Sequence, residues 1–326
     1  MQQDYKIALI GGSGFLGNSL SKKINPERNF IYDIRPSIEF QNNWTYLDVT
    51  KVDQLIKCLD SNQVIINLAA EHKDNVRPKR KYYEVNVDGA KNICAVASKK
   101  NIKTIVFISS VAVYGFGDDY ISESQNLNPI SDYGHSKALA EVVYREWQLE
   151  DAMNRTLVII RPTVIFGPKN RGNLYNLIAQ ISNHKFLMIG NGTNIKSVAY
   201  VENVTDFILF SLDFRPGVHL YNYVDEPQYT MNSLIGLIYK CLNKKQSNIR
   251  IPYLFGVLVG YAFDIYSFFM NKSLSISSIR IKKFCSNSRF KCRIRESGFS
   301  AKNSLDTALI KFIKSEFCIK DSTKLL

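Results

Sequence analysis

The segment YKIALIGGSGFLG, residues 5–17, decides the fold. Lys6–Ile10 is a short apolar run of the kind that forms a fully buried strand. Gly11, Gly14 and Gly17 then follow three residues apart, opening a helical pattern over Phe15–Lys23. Glycine has no Cβ, so this turn allows backbone N–H groups to approach a pyrophosphate closely. The N terminus of the following helix adds positive potential there. Glycine turns are common, and the placement between a first strand and a first helix is what makes this one a dinucleotide-binding signature.

Downstream, short apolar runs recur at Phe30–Asp33, Val64–Leu68, Thr104–Ser109 and Leu157–Arg161. Amphipathic stretches lie between them at Val52–Leu59, Val87–Lys99 and Ser136–Trp147. Strands alternating with helices of this length predict an α/β fold with a parallel, doubly wound Rossmann sheet. Asp33 ends the second strand, 22 residues beyond Gly11, where a carboxylate accepts hydrogen bonds from an adenosine ribose. A carboxylate repels a 2′-phosphate, which favours NAD over NADP, although Arg35 pulls the other way. Asp48 and Val49 follow the third strand and can frame the adenine; Asp48 reads equally well as a helix N-cap.

YGHSK at 133–137 sets Tyr133 and Lys137 four apart, on one face of a helix. A free tyrosine titrates near roughly pH 10 and is a poor base at neutrality. A neighbouring ammonium and a nicotinium charge favour the phenolate. The bare pair recurs by chance, but here a strand ends upstream in Ser109-Ser110, within SSVAVYG at 109–115. That puts the Ser110 hydroxyl at the carboxyl edge of the sheet, where such folds bind ligands. A base, its electrostatic partner and a hydroxyl donor suit hydride exchange at a carbon that carries a hydroxyl.

The whole chain has 326 residues, 45% hydrophobic and 22% charged. That is a globular composition, long enough for one large domain and a smaller one. After Pro168 the alternation loosens: 169–190 reads as loop and helix, Ser197–Val201 as a strand and Asn203–Leu212 as a helix. The expected division is an NAD-binding domain over 1–168 and a mainly substrate-binding α/β domain over 169–326, with some segments returning to the Rossmann core. The net charge of +13 points to an anionic partner, whether nucleic acid, a phosphorylated substrate or an anionic membrane. No nucleic-acid-binding module accompanies it, so nucleic acid is not expected. Six cysteines without a C-x-x-C pair and four scattered histidines suggest neither a metal site nor a disulfide framework. The opening MQQDYKIALIGG lacks the regions of a secretory signal, so a cytoplasmic protein is expected.

Residues 251–270, IPYLFGVLVGYAFDIYSFFM, are nearly all apolar and break only at Asp264. The uninterrupted run Ile251–Phe263 has 13 residues, whereas a spanning helix needs about 20. Seven aromatics (Tyr253, Phe255, Tyr261, Phe263, Tyr266, Phe268, Phe269) suit a bilayer interface. Nine Lys or Arg then fall between Asn271 and Lys302 against the single acid Glu296, a charge pattern that suits anionic headgroups. Region 251–302 therefore reads as membrane-interface-like. A buried core or dimer helix is the competing reading, with a spanning helix behind it.

Taken in order, GGSGFLG, Asp33, NLAA at 67–70, Asn86, SSVAVYG, YGHSK and RPTVIFGP at 161–168 resemble the extended short-chain dehydrogenase/reductase family of NAD-dependent epimerases and dehydratases. The resemblance implies a Rossmann domain carrying NAD and a smaller C-terminal domain closing over a sugar. It gives Ser110, Tyr133 and Lys137 the catalytic roles, with Ser110 and Tyr133 also touching substrate. It brings Gly11, Gly14, Phe15, Leu16, Asp33, Asp48, Val49, Ala69, Ala70 and Asn86 against NAD, together with Gly17, Tyr133 and Lys137. It also implies a homodimer, for which Val87–Lys99 and Ser136–Trp147 are the candidate helices.

Further stretches, among them NLAAEHKDNV, YYEVNVDG, GNGTNIKSVAYVENV, YNYVDEP and SSIRIKKFC, are similar to a bacterial subgroup of membrane-linked epimerases in this family. That similarity implies 4-epimerisation of a polyprenyl-diphosphate-linked GlcNAc to GalNAc for O-antigen, through a 4-keto sugar. The implied location is peripheral, at the cytoplasmic face of the inner membrane. Arg171, in the KNRGN loop at 169–173, is the candidate to grip the substrate diphosphate; a solvated loop arginine is the competing reading. Rival functions are a soluble nucleotide-sugar 4-epimerase or 4-keto reductase, and a dinucleotide-sensing binding protein. A 4,6-dehydratase is disfavoured because Val111 and Ala112, not carboxylates, follow Ser110. A sensor has no use for the intact Ser-Tyr-Lys set.

Overall fold

The computed structural model describes residues 5–73, 76–115, 117, 120–270 and 277–318, without the side chain of Phe268. Positions 74 and 75 of the NLAAEHKDNV stretch, and Lys272 of the basic region, lie outside the described residues. Strands β1 (Lys6–Ile10), β2 (Asn29–Asp33), β3 (Trp44–Tyr46), β4 (Gln63–Asn67), β5 (Thr104–Ile108) and β6 (Thr156–Pro162) form a parallel sheet in the order 6-5-4-1-2-3. Both faces are covered. Ala8 and Ile10 point into one core, with Leu55, Ile93 and Tyr144 of the helices α2 (Val52–Cys58), α4 (Gly89–Lys99) and α5 (Asp132–Leu149). Ile7 and Leu9 point into the other, with Leu20 of α1 (Phe15–Ser21) and Phe207 of α7 (Val201–Phe210). Burial on both sides is why these strands read as unbroken apolar runs.

The strand order reverses between β1 and β4, and this switch point opens at the carboxyl ends of the strands. Two features depart from the linear reading. A seventh strand, β11 (Gly217–Tyr223), joins the sheet beside β6, in parallel register from Gly217 opposite Thr156 to Tyr223 opposite Pro162. The helix expected from Val87 begins earlier, as α3 (Arg80–Tyr83), and reaches α4 through a π-helical turn at Glu84–Asp88. Such single π turns often sit beside functional sites, and this one carries Asn86.

A second core gathers α6 (Asn173–Ser182), α8 (Met231–Cys241) and α11 (Leu305–Ile313) around the paired strands β7 (Val164–Phe166) and β10 (Val198–Tyr200). Short pairs add β9 (Ile195–Lys196) with β12 (Tyr229–Thr230), and β8 (Met188–Ile189) with β13 (Arg250–Ile251). Leu16 of α1 packs against both this core and that of the sheet, so the glycine turn sits at the junction of the two units. From β13 the chain enters α9 (Tyr253–Met270), which lies against α10 (Ser278–Cys285). Among the described residues no helix is long and apolar enough to cross a membrane. Nor is α9 a core helix: Leu254, Leu258 and Phe269 are 74%, 66% and 78% exposed.

Candidate active site

The glycine turn is held from below by Tyr32, whose carbonyl accepts the N–H of Gly11 at 2.7 Å. Gly11 has φ +78°, and a Cβ there would lie 2.5 Å from the backbone nitrogen of Ala69. Only glycine fits both the left-handed conformation and that approach. At Gly17 a Cβ would run into the backbone of Gly12, so the helix can leave the turn tightly. Asp33 is buried at the end of β2. One carboxylate oxygen accepts the Ser13 N–H at 3.1 Å and the other accepts the Arg35 N–H at 3.0 Å. The residue expected to hold a ribose thus also ties β2 to the glycine turn.

Four observations test whether these residues fit a dinucleotide, and all agree. The N terminus of α1 carries no side-chain cap and no acid in its first turn. The Ser13 hydroxyl is buried with no partner in the protein. The turn itself excludes any Cβ at Gly11. A carboxylate, Asp33, stands at the end of the adjacent strand.

Around this turn the other expected cofactor residues are arranged by local hydrogen bonds. The Asn67 side chain accepts the Ala69 N–H at 3.0 Å and donates to the Tyr144 hydroxyl at 2.6 Å, fixing the chain into Ala69 and Ala70 as it leaves β4. Asp48 accepts from the N–H and hydroxyl of Thr50 at 2.9 and 2.8 Å, a turn leading into α2. Val49 is buried beside it. Asn86 donates to the Ser136 hydroxyl at 2.8 Å and to the Glu71 carbonyl at 3.1 Å, and accepts the Glu71 N–H at 2.9 Å. Its amide therefore cross-links the loop after β4 to α5.

Helix α5 is capped by Ser131, whose hydroxyl accepts the Gly134 N–H at 3.1 Å. This sets the first turn, and with it Tyr133, at the carboxyl edge beside the end of β5. Ser110, just past β5, caps a short 3-10 turn by accepting the Ala112 N–H at 3.1 Å. Its hydroxyl also acts on the Tyr133 phenol. Burial pushes the Tyr133 phenol up to about 12, and the Ser110 hydrogen bond works against that rise. One turn on, Lys137 is 2% exposed and its ammonium lies 4.3 Å from the centre of the Phe107 ring. Burial pushes Lys137 down to about 7, and the carboxylate of Glu141 pulls it back up. Burial thus drives both groups towards their neutral forms.

The linear reading missed what lies beneath this pair. Glu141, a further turn along the face shared by Tyr133 and Lys137, is buried with Arg161 in a two-pronged ion pair. Ser109 donates to the same carboxylate, and Arg161 also donates to the Tyr114 hydroxyl, which donates in turn to Asn222 at 2.8 Å. The 133–137–141 spacing is the signal that points to Glu141. Arg171, the candidate for the diphosphate, is exposed but already partnered: its guanidinium is paired with Glu316 at 2.5 Å and stacked 4.1 Å from the Tyr175 ring centre. Those partners come from α6 and the last described turn, which no local reading connects to the KNRGN loop.

Comparison with known proteins places this geometry in context. The model of the NAD dependent epimerase/dehydratase family matches residues 7–223. The chain is 41% identical over 319 residues, 95% of each chain, to the N-acetyl-alpha-D-glucosaminyl-diphospho-ditrans,octacis-undecaprenol 4-epimerase of Escherichia coli O157:H7. Among solved structures it is similar to MoeE5 in complex with UDP-glucuronic acid and NAD, with a TM-score of 0.75 at 19% identity, covering 97% of this chain and 99% of that one. It is also similar to the UDP-glucuronic acid 4-epimerase of Bacillus cereus in complex with NAD, with a TM-score of 0.72 at 17% identity, covering 96% and 99%. At such identities these two likenesses speak for the fold alone.

Proposed function

This chain belongs to the NAD dependent epimerase/dehydratase family, and on that premise we propose that it inverts C4 of an N-acetylglucosamine carried on undecaprenyl diphosphate. The carrying observation for the chemistry is Tyr133 and Lys137 one turn apart on α5, the lysine buried, with the Ser110 hydroxyl acting on the tyrosine phenol. The choice of substrate rests on the 41% identity, over 95% of both chains, to the E. coli enzyme. The cofactor is NAD, held by the glycine turn and Asp33. The chemistry that NAD supplies when bound is reversible hydride exchange with the sugar C4.

The residues of this chain do the rest. Tyr133, as phenolate, takes the proton of the 4-hydroxyl and later returns it to the opposite epimer. The Lys137 ammonium favours that phenolate by charge, as does a nicotinium ring, offsetting the burial that otherwise holds the phenol near 12. Ser110 orients the sugar hydroxyl and donates to the developing charge. Phe15, Leu16, Ala69 and Ala70 line the apolar approach to the dinucleotide. Asn86 keeps that approach and α5 in register. Arg171 reaches a diphosphate by exchanging Glu316 for phosphate oxygens, which offer the same forked geometry.

Because this substrate is an isoprenoid lipid, the working location is peripheral, at the cytoplasmic face of the inner membrane. The exposed Leu139 and Val142 of α5 support a homodimer through α4 and α5. The test is Tyr133→Phe. Purified with NAD and offered undecaprenyl-diphospho-GlcNAc, the variant keeps NADH binding and loses turnover by roughly 1000-fold. Full GalNAc formation by the variant would remove Tyr133 from the reaction. GalNAc from UDP-GlcNAc, and none from the lipid, would move the protein to the soluble class.

A further inference from the structure

Helix α9 turns a narrow face to the protein and a broad one away from it. The inward face is a seam of Gly256, Gly260, Asp264 and Ser267, spaced four, four and three apart. A Cβ at Gly256 would lie 2.7 Å from Cγ2 of Ile189, and one at Gly260 would lie 2.7 Å from Cα of Ser278. The glycines therefore let α9 lie directly on β8 and α10. Asp264, the only charged residue of the helix, belongs to this seam. Its carboxylate accepts the Ser278 N–H at 3.1 Å, at the N terminus of α10. The single charge of α9 is thus turned inward.

Among the described residues, the outward face carries only apolar and aromatic side chains. Leu254, Phe255, Leu258, Ile265 and Phe269 are each more than half exposed, and Tyr261 and Tyr266 stand among them. A soluble protein does not leave so many large apolar groups contiguous on one helix without a partner. The adjoining element is basic. Helix α10 carries Arg280, Lys282 and Lys283 and no acid. Lys282 donates to the Tyr261 hydroxyl at 2.8 Å and lies 5.0 Å from the centre of its ring. A tyrosine at the rim of an apolar face, with an ammonium beside it, is the pattern of a headgroup boundary.

We propose that α9 lies in the plane of an anionic bilayer, its outward face among the acyl chains, with the cations of α10 at the level of the lipid phosphates. The occupant is a lipid surface rather than a second copy of the chain, because the Lys282 ammonium stands at the rim of the apolar face, on a helix that carries no acid. Two copies meeting on that face would bring like charges together, whereas anionic headgroups meet them favourably. This inference rests on the reading of a lipid-linked substrate only for its purpose: it holds the site beside a diphosphate that sits at the same surface. The seam to β8 and α10 makes the attachment rigid, so the height of the site above the bilayer is set by the fold.

The experiment is flotation of the full chain, with NAD, on vesicles of phosphatidylethanolamine and phosphatidylglycerol that contain no polyprenyl lipid. The protein floats with them, and floats less with phosphatidylcholine alone. Leu258→Glu combined with Ile265→Glu lowers partitioning about 100-fold, while NADH binding and turnover of a short-chain, water-soluble prenyl-diphospho-GlcNAc stay as in the parent. Undiminished flotation of that variant overturns the proposal. So does a parent protein that ignores vesicles but forms a dimer broken by the same substitutions. Flotation that depends on α9, in a protein that does not epimerise the lipid-linked sugar, upholds the anchor and refutes the substrate reading instead.

Discussion

Replacing Lys137 with methionine should stabilise the NAD-free protein while removing its activity. The side chain is 2% exposed, and burial drives its ammonium from 10.5 to about 7, with Glu141 opposing. A fall of that size corresponds to about 5 kcal/mol of cost in holding the charged form inside the fold. In the unfolded chain lysine keeps its proton up to about pH 10. In the native protein it gives the proton up above about 7. The unfolded state therefore binds more protons between these values, so the lysine penalty is full below pH 7 and fades as the pH rises towards 10.

Methionine fills a similar volume beside Phe107 without a charge. The gain should be on the order of 3–5 kcal/mol at pH 6 and roughly 1 kcal/mol at pH 9.5. The parent profile alone is not diagnostic. Burial raises the thiol of Cys94 and the phenols of Tyr32 and Tyr114, which destabilises at high pH, while Lys196, pushed down to about 8, acts in the same sense as Lys137. Only the difference between variant and parent isolates residue 137. Urea unfolding of both proteins without NAD, followed by tryptophan fluorescence at pH 6 and 9.5, supplies it. A difference that does not change with pH, or a variant weaker than the parent at pH 6, would refute the reasoning.

Two further outcomes follow from the same network and from the glycine turn. Glu141→Gln leaves the buried Arg161 without its counter-charge and should cost about 3–5 kcal/mol, read as a fall in Tm of roughly 10 °C; an unchanged Tm by scanning fluorimetry would show that the pair carries no stability. Asp33→Asn keeps one acceptor but loses the charge that meets the Ser13 and Arg35 N–H groups. It should weaken NADH binding about 10-fold and narrow the preference over NADPH, measured by fluorescence titration; an unaltered NADH-to-NADPH ratio would take Asp33 out of cofactor selection.

Much of the fold was legible because its signals are local. The strand–glycine–helix order at 6–17 specifies a turn that only glycine can make, and the apolar runs of β1, β4, β5 and β6 follow from burial on both faces. β11 was not legible, since GVHLYNY is a sheet-edge segment whose place depends on pairing with β6, about sixty residues away in sequence. The early start of the helix at Arg80 was hidden by the π turn, which shifts the apolar register between α3 and α4. Arg171 was legible as a phosphate-binding type of residue, but not as the partner of Glu316, 145 positions further on.

The same division runs through the active site and the basic C-terminal region. Sequence alone determined which chemical groups are present and how far apart they stand on a strand or helix, because backbone periodicity is local: Tyr133 four before Lys137, and an apolar run with one acid at Asp264. Tertiary structure alone decided what surrounds them. Burial of Lys137 over Phe107, the Glu141–Arg161 pair beneath it and the inward turn of Asp264 all depend on packing between separate elements. Desolvation and charge pairing are set by the neighbours that packing brings within a few ångströms, and those determine both the acidity of the catalytic pair and which face of α9 meets its surroundings.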